Sequence, residues 1–330
     1  MSREVLVYTE PDVRAALDLP SLIDAVERAF VAASSGGAEL PSVIHLDVPE
    51  SGGEIHVKAG HLHGAKHYAV KVASGFSAPD PPTADGLVLV FDARDGSPAA
   101  LLLDGGALTD LRTAAAGGVA ARLLAPERVE TVAVIGTGTQ ARLQLDALAV
   151  VRPGFAHVRV WGRNRDHATR CVDDLLARPG LPEGCRFAVA ESVELALEGA
   201  DVVITCTASR EPIVRARALK PGAHVTALGS DGADKRELDV DVLAAADVLV
   251  VDSREQCARI GELHHALDAG TVGSIDDVAE LGEVAAGRRP GRTSADQLTV
   301  CDLTGVGVQD VAAAALVLER AGEPSARLPR

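Results

Sequence analysis

The sequence predicts an α/β fold, in which a doubly wound parallel sheet is joined to a second, α+β domain built from both ends of the chain. The 330 residues suffice for about two domains of roughly 150 residues each. Apolar runs alternate with helical segments in the middle of the chain, and a long Ala/Val/Leu helix follows at residues 307–321. The predicted domains are residues 1–125 with 306–330, for substrate binding and dimerisation, and residues 126–305, for dinucleotide binding.

The first domain is predicted to contain a mostly antiparallel sheet with helices beside it. Thr9-Glu-Pro-Asp12 is a helix-capping sequence, and apolar residues recur after it at helical spacing. Between residues 40 and 91, β-rich runs are separated by Gly and Pro, which is typical of antiparallel strands. Residues 107–125 are rich in Ala, Leu and Arg and stop before Pro126, so they predict a helix.

Five apolar runs predict the strands of the parallel sheet, because strands that are covered on both faces are apolar throughout. They are Val132–Ile135, Val158–Trp161, Val202–Thr205, Val225–Leu228 and Val248–Val251.

Composition argues against several classes of partner. A formal charge of -15 opposes binding to nucleic acid or to an anionic membrane, and 2% aromatic residues leave little for stacking on bases. No apolar stretch approaches the roughly 20 residues of a membrane span. Five cysteines without a C-x-x-C pair indicate reduced thiols in the cytoplasm. A small-molecule substrate is therefore expected.

No metal site is predicted. Four histidines share one region with two lysines, but a metal site usually adds a carboxylate or a thiol nearby. These histidines are His56, His61, His63 and His67.

The strongest motif is Gly136-Thr137-Gly138-Thr139-Gln140-Ala141, which directly follows an apolar strand and opens a helix. Gly136 permits a tight turn, Gly138 lets a pyrophosphate approach the backbone, and Ala141 allows close packing of helix on strand. The first amides of the helix then face the phosphates. The motif predicts a Rossmann dinucleotide site.

The end of the second strand favours NADP(H) over NAD(H). An acidic residue there would bind the adenosine ribose, but the strand runs into Gly162-Arg163-Asn164-Arg165. A guanidinium matches a 2′-phosphate, so Arg163 is the predicted partner, with Arg165 as a second. The alternative is NAD(H), with Asp166 at the ribose.

Five segments together point to a known family: Tyr68–Val72, Leu101–Ala116, Ile135–Arg142, Gly229–Asp231 and Lys235–Asp239. Through them the sequence resembles the ornithine cyclodeaminase/μ-crystallin family over essentially its full length, with a weaker resemblance to its ectoine-utilisation branch. The resemblance implies a Rossmann domain, a substrate and dimerisation domain made from both chain ends, a nicotinamide cofactor and a homodimer.

Chemistry at an α-amino or α-imino acid needs a grip on the carboxylate, a proton donor or acceptor, and a hydride partner. Arg112 matches the carboxylate-binding arginine of the family, and a guanidinium can bind a carboxylate through two parallel hydrogen bonds. The resemblance implies an acid/base role for Lys71, which lies in an apolar strand, and a role at the amino group for Asp231. The alternatives are a surface arginine, a half-exposed lysine and a turn-capping aspartate.

The chain departs from the family in one respect: it has no arginine between Arg28 and Arg94. Many members have a further arginine on an early strand that helps to hold the substrate carboxylate. Lys58 is the expected substitute. His56 occupies the place where ornithine-specific members have an acid for the distal ammonium, so ornithine is not favoured.

Further cofactor contacts are predicted from segments that resemble the family's nicotinamide and phosphate surroundings. Beyond the glycine motif, Arg163 and Asn164, these residues are Thr83, Thr113, Thr207 and Ser230.

The predicted function is NAD(P)-dependent hydride transfer between the nicotinamide and the α-carbon of a small amino or imino acid, as in an imine reductase or amino-acid dehydrogenase, with NADP(H) favoured. Two alternatives stay open at this stage. One is redox-neutral cyclodeamination with release of ammonia, and the other is cofactor-dependent ligand binding without turnover.

Overall fold

The computed structural model describes residues 4–76 and 83–329, and the chain forms two compact units. The first comprises Met1–Thr113 with Val306–Arg330, and the second comprises Ala114–Gly305. The division lies inside one long helix, so the predicted boundary at residue 125 stays a prediction.

The first unit contains an eight-stranded sheet in the order β16-β1-β7-β6-β5-β4-β2, with β3 paired to β4. All pairs are antiparallel except β1 with β7, in agreement with the expected antiparallel character. Its strands are β1 (Glu4–Thr9), β2 (Ala38–Glu39), β3 (Ile44–Val48), β4 (Gly53–Leu62), β5 (His67–Phe76), β6 (Thr83–Asp92), β7 (Pro98–Leu103) and β16 (Ala326–Pro329). Its helices are α1 (Glu10–Ala16), α2 (Leu19–Ala33), α3 (Ala107–Leu124), which continues into the second unit, and α11 (Gly307–Arg320).

The first helices begin where the sequence provides caps. The N–H of Thr9 donates to Asp12 Oδ2 at 2.8 Å, which forms the predicted capping box of α1. Asp18 caps α2 by accepting the N–H of Ser21. The apolar positions with helical spacing in α2 are buried, as expected: Leu22, Val26 and Phe30.

Helix α11 packs on β4, β5 and α2, and the distance between α11 and β4 is set by contact between their backbones. A Cβ added to Gly307 would lie 2.1 Å from Ala59 O, and one added to Gly60 would lie 2.8 Å from the carbonyl carbon of Gly307. Only glycine fits at either position. The close approach brings the polar residues of the first turn of α11 down onto the sheet.

The second unit contains a parallel sheet of eight strands in the order β10-β9-β8-β11-β12-β15-β13-β14. The first five of these strands along the chain, β8 to β12, are arranged in the 3-2-1-4-5 order of a Rossmann fold. The predicted α/β class is confirmed. The strands are β8 (Thr131–Ile135), β9 (His157–Trp161), β10 (Arg186–Val189), β11 (Val202–Thr205), β12 (His224–Ala227), β13 (Val248–Val251), β14 (Ala279–Glu280) and β15 (Thr299–Asp302). The helices are α4 (Thr139–Val151), α5 (Arg165–Leu176), α6 (Val193–Leu197), α7 (Val240–Ala244), α8 (Arg254–Cys257), α9 (Glu262–Asp268) and α10 (Leu281–Ala285).

Both faces of this sheet are covered by apolar clusters. Along β8, Val132 and Val134 belong to one cluster, whereas Ala133 and Ile135 belong to the other. This explains the continuous apolar runs, since alternate residues point to opposite faces. Across residues 4–76 and 83–329, no helix has the length and apolar character to cross a membrane.

Buried carboxylates lie among the loops of the second unit. Burial raises the pKa of Glu262 to about 9 and the pKa of Asp302 to about 7. Each accepts backbone N–H groups: Glu262 from Glu237 and Leu238, and Asp302 from Leu263. Both groups therefore bind protons more tightly in the folded protein than in the unfolded chain.

These shifts predict that the free energy of unfolding falls as the pH rises from about 7 to about 9. The folded state binds the Glu262 proton throughout this range, whereas the unfolded chain does not. Below pH 6.5 the buried His224, whose pKa is lowered to about 3 by burial, contributes the opposite slope. Urea unfolding at several pH values measures the effect.

The variant Glu262→Gln should remove most of the slope above pH 7, whatever its effect on stability at a single pH. Asp201→Asn is the control, because the hydrogen bonds that Asp201 accepts from Lys220 and from the backbone outweigh its burial and lower its pKa, which confines its contribution to acid pH. An unchanged slope in Glu262→Gln would contradict the assignment.

Candidate active site

A cluster of buried charged side chains lies on one face of the first unit's sheet. Lys58 of β4 and Lys71 of β5 are direct cross-strand partners, and they are 5% and 2% exposed. Arg112 of α3 and Asp310 of α11 are also buried. Lys71 is thus a buried strand lysine, and Arg112 is not a surface residue.

Asp310 holds the cations in place. Its Oδ1 accepts the Nε–H of Arg112 at 3.0 Å, and its Oδ2 lies 3.9 Å from Lys71 Nζ. Arg112 Nη1 also donates to Gln309 Oε1 at 3.4 Å, and that oxygen accepts the N–H of Val306 at the start of α11. Asp310 Oδ2 has no hydrogen-bond partner among the residues described, so a buried acceptor remains there.

Helix α3, which carries Arg112, is fixed at its start by a buried acid. Asp104 Oδ2 accepts the N–H of Leu108 at 2.6 Å, and burial raises the pKa of this carboxyl. Thr113, the next residue after Arg112, donates its hydroxyl to Thr109 O at 2.7 Å. This hydroxyl hydrogen bonds to the helix backbone, and the oxygen can still accept, so the predicted cofactor contact of Thr113 stays a prediction.

His56 lies two residues before Lys58 on β4, so both side chains are on the same face. The residue is 9% exposed, and its Nε2 has no hydrogen-bond partner in the described part of the chain. Its ring packs edge-on against His45 with centroids 4.7 Å apart, and Glu54 Oε2 lies 3.9 Å from Nε2. No group of three or more His, Cys, Asp or Glu suited to a metal occurs among the residues described.

The glycine turn of the second unit has the geometry that its sequence predicts. Gly136 has φ +136°, and a Cβ there would lie 2.7 Å from Cys206 O, so only glycine fits. Gly138 caps α4, and the space beside its Cα is open. Ala141 is fully buried. A helix N-terminus beside open space fits the pyrophosphate of a dinucleotide.

Arg142 stabilises this turn, although no role was predicted for its side chain. Its Nη1 donates to the carbonyl oxygens of Thr137 and Gly138, both at 2.9 Å. Its Nε and Nη2 donate to Asp174 of α5. The N–H of Ala141 donates to Gly138 O at 3.1 Å, and helix geometry leaves the first amides of α4, beginning at Thr139, without acceptors four residues earlier in the helix, so they can bind an anion.

The other residues near this turn that were predicted to contact the cofactor differ in their contacts within the protein. Thr137 lies against Gly162, where a Cβ would be 2.4 Å from Thr137 Cγ2. Gln140 accepts a hydrogen bond from Gln144. Asn164 caps α5 by accepting the N–H groups of residues 166 and 167, and Arg163 beside it is exposed.

A second group of predicted residues lies beyond the carboxyl ends of β11 and β12. Asp231 Oδ1 accepts from Lys235 Nζ at 2.7 Å, and the Asp231 side chain is 38% exposed. Ser230 Oγ donates to Lys235 O at 2.5 Å, and Thr207 Oγ1 accepts the N–H of Ser209. Thr83 begins β6, and its side chain is outside the described part of the structure.

A Rossmann unit with an open glycine turn and a separate unit with a buried lysine–arginine site define a dinucleotide-dependent enzyme class. The family model for the ornithine cyclodeaminase/mu-crystallin family matches residues 3–325, and the chain belongs to this family. It is accordingly an enzyme that uses a nicotinamide cofactor.

Individual relatives cover almost the whole chain. A protein of Rhizobium meliloti is 41% identical over 326 residues, which are 97% of each chain. An archaeal alanine dehydrogenase, solved as a dimer with bound NAD, is 34% identical with a TM-score of 0.87 over 96% of each chain. The Δ1-pyrroline-2-carboxylate reductase of Thermococcus litoralis, solved with NADH and L-proline, is 29% identical with a TM-score of 0.89, over 96% of this chain and 97% of that one.

The buried Asp310 predicts a large loss of stability in Asp310→Asn. The change leaves the buried Arg112 and Lys71 without their acid, which typically costs about 3 kcal/mol of unfolding free energy. Urea unfolding at neutral pH measures it. In the control Glu10→Gln, an exposed pair with Arg14 is lost, and a change below about 1 kcal/mol is expected. Equal, small losses in both variants would contradict this account.

Proposed function

We propose that this protein is an NADP(H)-dependent imine reductase that converts small α-imino acids into α-amino acids, and catalyses the reverse oxidation. The observation that carries the proposal is a buried set of three cations, Lys58, Lys71 and Arg112. Asp310 bonds to Arg112 and lies 3.9 Å from Lys71, whose cross-strand partner is Lys58. The relatives named as alanine dehydrogenase and Δ1-pyrroline-2-carboxylate reductase support the substrate class.

Arg112 and Lys58 bind the substrate carboxylate in this proposal. Asp310 holds Arg112 through Nε, so the planar guanidinium has a fixed orientation with its other edge directed away from that acid. A carboxylate is the natural complement of a buried arginine and lysine, because it forms charge-assisted hydrogen bonds with both. His56, on the same face of β4 as Lys58, contacts the substrate side chain in this proposal.

Lys71 and Asp231 handle protons. Lys71 is buried next to a carboxylate and can donate a proton to the substrate nitrogen or accept one from it. Asp231, which Lys235 orients, binds the amino group. When bound, the nicotinamide ring supplies the hydride for the α-carbon or accepts it.

The preference for NADP(H) is supported by the turn after β9. The strand ends at Trp161, and exposed Arg163 and Arg165 follow without a carboxylate between them. A guanidinium there would bind a 2′-phosphate. Asp166, exposed in the first turn of α5, is the competing ribose partner in a protein that prefers NAD(H).

A homodimer is part of the proposal. Ile44 and Leu46 of β3 are 60% and 54% exposed, which is a high value for large apolar side chains on one strand. An interface with a second copy would cover them. The archaeal alanine dehydrogenase is a dimer.

A substrate panel tests the function. Purified protein is assayed with a cyclic α-imino acid, with pyruvate plus ammonium, and with L-ornithine and L-lysine. We expect NADPH to be oxidised in proportion to imino acid, with kcat/KM about tenfold above that for NADH. Ammonia release from a diamino acid without net change in reduced cofactor would establish a cyclodeaminase instead. Cofactor binding without any reaction would favour a ligand-binding protein.

Substitutions of the two cross-strand lysines should distinguish proton transfer from substrate binding. Lys71→Met removes the acid/base group, so kcat should fall by about 100-fold while the cofactor Kd is unchanged. Lys58→Met is the matched control from the same cross-strand pair, and its main effect should be a rise of about tenfold in substrate KM. The same kinetic change in both variants would contradict the assigned roles.

A further inference from the structure

Glu237 connects the carboxyl ends of two neighbouring strands in the second unit. Its side chain is fully buried. Oε1 accepts the N–H of Thr207 at 2.5 Å, and Oε2 accepts the hydroxyl of Thr205 at 2.7 Å and the N–H of Gly229 at 2.8 Å. Thr205 ends β11, and Gly229 follows the end of β12. One carboxylate thus joins both strand ends.

The two strand ends pack directly around this carboxylate. A Cβ added to Gly229 would lie 2.0 Å from Thr207 O and 2.6 Å from Glu237 Cδ. Glycine is required at this position, although its φ is not positive. There is consequently little room for the strand ends to shift relative to Glu237.

The backbone N–H of Glu237 is bound by a second buried acid, and the Glu237 side chain closes the loop that carries Asp231. Glu262 accepts the N–H groups of Glu237 and Leu238 at 2.7 and 3.0 Å. Residues 229 and 237 are joined through the Glu237 side chain, and Ser230 bonds to Lys235 O within that span. The loop therefore has a fixed base, from which Asp231 projects with its bond to Lys235.

We infer that Glu237 is a positioning residue for the reaction: it sets the separation between the Thr207 loop and the Ser230–Asp231 loop. The inference rests on the proposed function, which assigns cofactor contacts to Thr207 and Ser230 and proton handling to Asp231. Glu237 itself is buried beneath these loops and acts through them.

The variant Glu237→Gln tests the role because it is nearly isosteric. The amide has one acceptor oxygen and one NH2 group, so whichever way it turns, a backbone N–H of Thr207 or Gly229 faces another donor. The hydroxyl of Thr205 can rotate and accept, but the backbone groups cannot. The two strand ends should therefore separate by a small distance, and displacement of reacting groups is costly to the rate.

Asp201→Asn is the matched control. Asp201 is another acid of the same sheet, and its Oδ2 accepts the N–H groups of Glu130 and Thr131, both at 2.8 Å. It precedes β11 and binds the start of β8, so it joins strands at the opposite, amino edge. It also bonds to Lys220. The substitution destabilises the fold without altering the loops that carry Thr207 and Asp231.

Four measurements are made on each full-length variant: the unfolding midpoint, NADPH affinity by fluorescence titration, kcat with the best imino acid, and amide hydrogen exchange. Both variants should lower the midpoint. In Glu237→Gln, NADPH affinity and kcat should each fall by about tenfold, whereas both should stay within about twofold of wild type in Asp201→Asn. Hydrogen exchange should accelerate at the amides of residues 207 and 229 in Glu237→Gln only.

Glu237→Gln with wild-type affinity and kcat would overturn the inference. If this variant does not fold, Glu237→Asp replaces it under the same criteria, because the shorter side chain keeps the charge but cannot reach both strand ends. Failure of the proposed function has a different signature: wild-type protein would not reduce imino acids. The fluorescence and hydrogen-exchange comparisons would still decide the role of Glu237 in that case.

Discussion

The ion pairs of Asp310 are the interactions on which the polar site of the first unit depends. Three cations buried in one region repel each other and are costly to desolvate, so their burial requires an acid in contact with them. Asp310 supplies it by bonding Arg112 through Oδ1 and approaching Lys71 through Oδ2. The glycine contact between β4 and α11 allows this acid to come close enough. The ion pairs of Asp310 thus depend on the close backbone packing of α11 on β4.

In the second unit, sequence pattern was sufficient to predict most of the architecture. The five predicted strands agree with the structure to within one residue at each end, because continuous apolar runs are an unambiguous sign of a sheet covered on both faces. β15 was missed, since Thr299-Val-Cys-Asp302 contains polar residues whose burial depends on partners far away in sequence, such as Leu124 O, which accepts the hydroxyl of Thr299. β10 is an edge strand with alternating exposure, which makes its pattern short and weak.

The candidate site could be predicted only in part. Gly136 was identified by its local motif, Lys71 by its charge within an apolar strand, and Arg112 by its match to the family. Asp310 and Glu237 were not, since their partners lie far away in sequence and no local pattern records the pairing. A sequence signal existed for Asp310: it is a charged residue within an otherwise apolar helix stripe, and that is the usual mark of a buried polar contact.

The distance in sequence between Arg112 and its acid has a consequence for biosynthesis. Asp310 is added to the growing chain 198 residues after Arg112. Until α11 leaves the ribosome, the lysine pair and Arg112 have no counter-charge from that helix, and the apolar surface of β4 and β5 beneath it is uncovered. The intervening Rossmann unit is by then fully synthesised and free to fold first. The order of translation therefore makes the first unit of this enzyme the last to be completed.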